Sequence, residues 1–139
     1  KTHKKMTFVT FLMTQNRPIN INLLKIKLPL SAFLSITHRI SGILIFFLVL
    51  PLSILAFSEL TQNQDSFDNF MNMYHTNFGI KFGCIVLILI FQYHIFAGIR
   101  HMLMDFHILN ESLSSSYRSA VTTLVLFAIN ALLTLWVML

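Results

Sequence analysis

The sequence predicts an all-α membrane protein: a bundle of three transmembrane helices with its N-terminus inside and its C-terminus outside. Of the 139 residues, 55% are hydrophobic and only 11% charged. Soluble domains carry about 25% charge, so too few polar groups are present to cover a water-soluble surface. The apolar residues gather into runs near 31–57, 78–104 and 120–139. Each run matches the roughly 20 residues that cross a ~30 Å hydrocarbon layer. Charge is uneven as well, with Lys1, Lys4, Lys5, Arg17, Lys25, Lys27 and Arg39 before or within the start of the first run. A basic flank ahead of an apolar segment marks the inner side of a membrane. Without aromatic-interleaved basic patches or a recognition motif, nucleic acid is excluded as a partner; membrane lipid is the expected one.

Residues 1–30 read as an inner-side lead-in. KTHKK is followed by the short apolar patch MTFVTFLM (6–13), with no small-residue cleavage site after it. Residues 1–12 are expected to lie outside the mature protein, with Met13 as its start; an intact mass that includes Lys1 would contradict this. Residues 14–30, with Pro18 and Pro29, are expected at the membrane surface. Residues 31–139 form the transmembrane anchor domain.

Ser31, just after Pro29, is the expected N-cap of the first helix. Residues 43–57 hold no charge, and Pro51 among them is expected to kink the helix, which membrane helices tolerate. Residues 58–77 carry Glu59, Asp65 and Asp68 without Lys or Arg, and read as an outer loop. In the second segment the apolar run 82–99 is interrupted only by Gln92 and His94. Residues 105–118 read as an inner connection, and Asn130 is the most polar member of the third segment. Cys84, the only cysteine, has no internal disulfide partner and reads as a small packing residue.

This topology brings two polar groups to one depth. Ser35, His38, Arg39 and Ser41 lie in the first turns of helix 1, which starts inside. His94, Arg100, His101 and Asp105 lie in the last turns of helix 2, which ends inside. Ionisable groups within a membrane are expensive and mark a functional site by default. Ser35 and Arg39 stand at i, i+4 on one face, with His38 beside them. His94, Gly98, His101 and Asp105 form a stripe at i, i+4, i+7 and i+11, in which Gly98 admits a flat group or a neighbouring helix.

His94 and His101 are about 10 Å apart along the helix, too far to share one metal ion, and no HExxH or CxxC is present. A single buried histidine can instead give one axial ligand to a haem iron, basic residues near the surface can pair with its propionates, and a Ser and an Arg on one face can hydrogen-bond a quinone carbonyl. The plainer readings stand beside these. A membrane histidine often serves as a helix–helix hydrogen-bonding group. Arg39 and Arg100 read equally well as interfacial anchors, and His101 and Asp105 as a pair near the headgroups. His3, His75 and His107 lie in flanks or loops and receive no role.

RPINI (17–21), SITHRISG (35–42) and YHIFAGIRHMLMDF (93–106) together resemble the cytochrome b anchor subunit of succinate dehydrogenase. That family carries Arg-Pro near its start, Ser-x-x-His-Arg-x-[Ser/Thr]-Gly opening helix 1 and His-x-x-x-Gly-x-Arg-His-x-x-x-Asp closing helix 2. The resemblance covers about residues 15–139, with helix 3 matching only as an apolar span. Ser-Pro-His-Leu does not follow Arg-Pro, so the lead-in is more similar to bacterial than to mitochondrial forms and implies the bacterial inner membrane, with the mitochondrial inner membrane as the alternative.

The resemblance implies His94 as the axial ligand of haem b, with the second ligand from another anchor subunit. It implies Ser35 and Arg39 as lining the ubiquinone pocket, and His38, Arg39 and His101 as cofactor-binding near the haem propionates or edge. The implied activity is succinate:ubiquinone oxidoreduction in the tricarboxylic acid cycle and electron transport chain. Succinate is oxidised at FAD in a flavoprotein subunit, and electrons pass through an iron–sulfur subunit. This chain would hold neither FAD nor iron–sulfur clusters and would not be catalytic alone. A fumarate reductase anchor is the near alternative. A small non-redox membrane assembly or transport protein is the distant one, and it predicts no chromophore.

Overall fold

The computed structural model describes residues 28–109 and 112–139. The expectations for residues 1–12 and for most of the lead-in lie outside the described residues. Pro29, not Ser31, is the N-cap of the first helix, α1 (Leu30–Leu44), and no side chain caps its free N–H groups. Proline's fixed, extended backbone suits the position just ahead of the helix, and Ser31 falls inside the first turn.

Helix α1 runs through a π-helical turn (Ile45–Val49) into α2 (Leu50–Gln62), making one 33-residue span. The π turn marks the expected irregularity at Pro51. Proline has no N–H for the carbonyl four residues earlier and its ring crowds that carbonyl. The backbone widens just ahead of it, with Leu50 N–H donating to Ile45 O.

Residues 58–77, expected as a loop, are mostly helical. After α2 ends at Gln62, α3 spans Gln64–Thr76. Asn63 caps α3 by accepting from Ser66 N at 2.8 Å, and Asp65 sits in its first turn, where the helix dipole favours an anion. Phe67, Phe70, Met71 and Tyr74 share one face at i, i+3, i+4 and i+7. Asn77 then caps α4 (Phe78–Asp105), accepting from Gly79 N and Ile80 N at 2.9 and 3.3 Å.

The last helix, α5 (Leu113–Met138), begins at Leu113 rather than near 120, because Ser112 caps it by accepting from Ser115 N at 3.3 Å. The three spans Leu30–Gln62, Phe78–Asp105 and Leu113–Met138 are long and apolar enough to cross a membrane. No strand occurs among the described residues.

Helix α4 is central and packs against both α1 and α5, while α1 also touches α5. The crossings are made by small residues: Ala97 and Ala120 are 1% and 0% exposed, and Ser41, Ser116 and Thr123 are buried. Small side chains let membrane helices approach closely, since burial from lipid supplies no hydrophobic drive of its own. The outer faces are apolar, with Phe47, Phe57, Phe78 and Trp136 exposed on the isolated chain, as lipid contact or a further membrane subunit requires.

One polar link and one aromatic contact tie the bundle deeper in: Gln92 Nε2 donates to Thr134 Oγ1 at 2.7 Å, and Tyr93 packs edge-on against Phe127. At the far end Tyr74 OH and Lys81 Nζ donate to the carbonyls of Met138 and Leu139, both at 3.1 Å. They satisfy the open C-terminal end of α5.

Candidate functional site

The first turns of α1 meet the last turns of α4. The face of α1 turned to α4 carries His38, Ser41 and Gly42, and each touches the histidine stripe. The His38 ring stacks on His94 with centroids 4.3 Å apart and planes 17° apart. It also lies 5.0 Å from His101 at a tilt of 37°. The two α4 histidines, too far apart along their helix to meet, are therefore bridged by a ring from α1.

Two glycines make the approach possible. A Cβ on Gly98 would stand 3.2 Å from His38 Nε2, and one on Gly42 would stand 3.3 Å from His94 Cε1. The neighbouring helix that the Gly98 stripe was expected to admit is thus α1, with His38 filling the gap. Gly42 is its counterpart on the other helix. It belongs to the SITHRISG motif, but its contact with His94 depends on the crossing and not on spacing within α1.

Ser41 fixes the hydrogen-bonding state of His94. Its hydroxyl donates to His38 O at 2.7 Å, so its oxygen accepts from His94 Nδ1–H at 2.9 Å. With Nδ1 carrying the proton, Nε2 of the neutral ring keeps its lone pair. That nitrogen has no hydrogen-bond partner among the described residues. His38 Nε2 is buried with no partner either, and a buried polar atom left unpaired is unusual enough to call for one. A second link, between Thr37 Oγ1 and Tyr93 OH, holds α1 and α4 in this register.

The sequence-predicted residues divide into four groups. His38, His94 and His101 are brought together. Ser35 is half-buried and Arg39 exposed beside them on α1, and neither hydrogen-bonds to another described residue. Asp105 is exposed at the end of α4, one turn beyond His101, and its side chain makes no hydrogen bond with another described residue. Arg100 is no surface anchor. It is 3% exposed and turned to α5, where Nε donates to Ser119 Oγ at 3.1 Å and Nη2 to Ser116 O and Oγ at 3.2 and 3.3 Å. Among the described residues, no set of three His, Cys, Asp or Glu side chains is placed to hold a metal ion.

A three-span helical membrane protein with a stacked histidine cluster at one end, one of whose rings has a fixed tautomer and an open nitrogen, is the class defined by fold and site. Residues 13–136 match the family model described as succinate dehydrogenase/fumarate reductase transmembrane subunit, and the chain belongs to that family. Among its relatives is the succinate dehydrogenase cytochrome b556 subunit of Coxiella burnetii (strain RSA 493 / Nine Mile phase I), 38% identical over 93 residues, covering 67% of this chain and 74% of that one. The succinate dehydrogenase cytochrome b560 subunit of Reclinomonas americana is 36% identical over 97 residues, covering 67% of each. The b560 subunit of Porphyra purpurea is 33% identical over 115 residues, covering 80% of this chain and 88% of that one.

Proposed function

We propose that the chain is the cytochrome b membrane anchor of a succinate dehydrogenase, giving one axial ligand to haem b and part of the ubiquinone-reduction site. The observation that carries this reading is the Ser41–His94 hydrogen bond, which leaves His94 Nε2 as a free lone pair. A second-shell acceptor on the far nitrogen is the usual accompaniment of a metal-bound imidazole. The unpartnered His38 Nε2 fits as well, because it would donate to a haem propionate. Haem b, when bound, supplies a one-electron redox centre.

His94 would hold the iron, with Ser41 keeping its ring oriented. His38, Arg39 and His101 would bind the propionate edge. Neither His38 nor His101, the other two rings of the cluster, has the His94 arrangement, so a second anchor subunit would provide the other axial ligand. The family and the names of the relatives support partnership with an iron–sulfur subunit and a flavoprotein subunit, which would hold the clusters and FAD.

Ser35 and Arg39 would face ubiquinone. Both lie at the histidine end with side chains uncommitted to other described residues. Ser35 would donate to a carbonyl oxygen, and the Arg39 guanidinium would stabilise the negative charge that develops there. The basic N-terminal flank supports an N-in orientation, with the histidine end on the inner side of a bacterial inner membrane. A fumarate reductase anchor is the second reading, favoured only by the breadth of the family description; the cytochrome b names of the relatives favour succinate dehydrogenase.

The test is the whole complex carrying Arg39→Leu. Losing one charge-assisted hydrogen bond of about 1.5–3 kcal/mol corresponds to roughly 10- to 150-fold in rate. Ubiquinone reduction should fall by that factor, while succinate oxidation with an artificial acceptor stays at the wild-type rate. Equal loss of both activities would contradict the assignment.

A further inference from the structure

We propose that the groove between α4 and α5 binds one anionic phospholipid, its phosphate held between Arg100 and Arg118. This inference is independent of the haem and quinone assignments, which use the opposite face of α4.

Arg100 is a charge within a membrane helix, about 8 Å from the end of α4 by helical rise. Such a charge is costly unless it is paired. Its partners on α5 are neutral hydroxyls and a carbonyl, and among the described residues it has no carboxylate partner. They occupy Nε and Nη2, while Nη1 makes no hydrogen bond with any described residue. Arg100 is nevertheless one of the residues lining an open groove of about 340 Å³. The α5 side chains that hold it, Ser116 and Ser119, are themselves fixed: Ser119 Oγ donates to Ser116 O at 3.0 Å. The guanidinium is therefore pinned and charged, with no carboxylate on it among the described residues and one nitrogen left to serve a ligand.

Arg118 stands on the same groove, about as far from the start of α5 as Arg100 is from the end of α4. It is exposed and has no acidic partner among the described residues. Asp105, the nearest acid on α4 by sequence, is outside the groove lining. Two guanidinium groups thus share one end of the groove at headgroup depth. Guanidinium–phosphate pairing is strong and directional, and basic pockets between transmembrane helices suit anionic headgroups. The rest of the wall mixes the hydroxyls of Ser115, Ser119, Thr122 and Thr123 with apolar side chains, of which Phe96 and Leu126 lie deeper along the helices than the arginines. A free phosphate has no use for those apolar side chains, whereas an acyl chain does. The occupant that fits both ends is a phospholipid with net negative charge.

The test uses the purified whole complex, delipidated and titrated with phosphatidylglycerol or with phosphatidylcholine of the same chains, with retained lipid read by native mass spectrometry. Arg118→Gln is the informative variant, because Arg118 is exposed and its loss leaves the buried α4–α5 contacts intact. Each arginine near an anionic lipid surface contributes about five-fold in affinity. Wild-type complex should retain one phosphatidylglycerol in preference to phosphatidylcholine, and Arg118→Gln should weaken that binding by about five-fold while leaving phosphatidylcholine unchanged. Equal retention of both lipids, or a preference untouched by Arg118→Gln, would overturn the proposal. So would displacement of the lipid by inorganic phosphate at matched concentration, which would make this a phosphate site.

Discussion

Removing one oxygen atom, by Ser41→Ala, should loosen the haem. Ser41 is 5% exposed, and its hydroxyl does two things at once: it donates to His38 O and accepts from His94 Nδ1–H. Alanine leaves a buried N–H without an acceptor, a loss of about 1–3 kcal/mol. At 1.4 kcal/mol per decade, that is roughly 5- to 150-fold in any equilibrium that needs His94 in place. The general effect of deleting a second-shell partner, about 10- to 100-fold in metal affinity, falls in the same range by an independent route. The assay is haem b per flavin in the complex as competing apo-haemoprotein extracts it, together with a potentiometric titration. Haem retention should drop by that factor. The midpoint should rise, since the imidazole loses the acceptor that made it a more basic ligand for ferric iron. Ser53→Ala is the control, because its hydroxyl bonds only to Leu50 O on an exposed face of α2. Haem affinity and midpoint both at wild-type values in Ser41→Ala would refute the reasoning.

The glycines give opposite predictions for one substitution. Gly83→Ala meets nothing within 4 Å and should raise the thermal stability of the detergent-solubilised complex by up to about 1 kcal/mol through helix propensity. Gly42→Ala, whose Cβ would press on His94 Cε1 at 3.3 Å, should displace the ring from Ser41 and lower haem content; matching effects from the two would contradict this. Tyr74→Phe removes the hydroxyl that caps Met138 O and should lower stability by about 0.5–1.5 kcal/mol, seen in thermal denaturation, with no change in the haem spectrum.

The three spans were legible because hydropathy over some twenty residues needs no tertiary information. The helix ends were not. Residues 114–119 are mostly polar, so a hydropathy reading starts α5 too late, although Ser112 is an ordinary cap and a membrane helix extends readily into the headgroup layer. Helix α3 was hidden in the same way: its Asp, Asn and Gln residues suggested a loop, yet Asn63 and Asn77 are capping residues and Phe67, Phe70, Met71 and Tyr74 keep helical spacing. Spacing put Ser35 beside Arg39 and His94 on the same face as His101, since the faces of one helix follow from its period. It was silent on Arg100, because whether a side chain meets solvent or α5 depends on where a second helix crosses. The same holds for Ser41: its place near the histidines followed from depth, but the path of its proton exists only once His38 O and His94 Nδ1 are both within reach.

The central claim is that His94, and no other histidine of the cluster, ligates iron. The direct measurement is the reduced-minus-oxidised visible spectrum, with low-temperature EPR, of the intact complex carrying alanine at each histidine in turn. His94→Ala should lose the low-spin b-type signature, whereas His38→Ala and His101→Ala should keep it with shifted potential or occupancy. A wild-type signature in His94→Ala, or its loss in His101→Ala alone, would contradict the account.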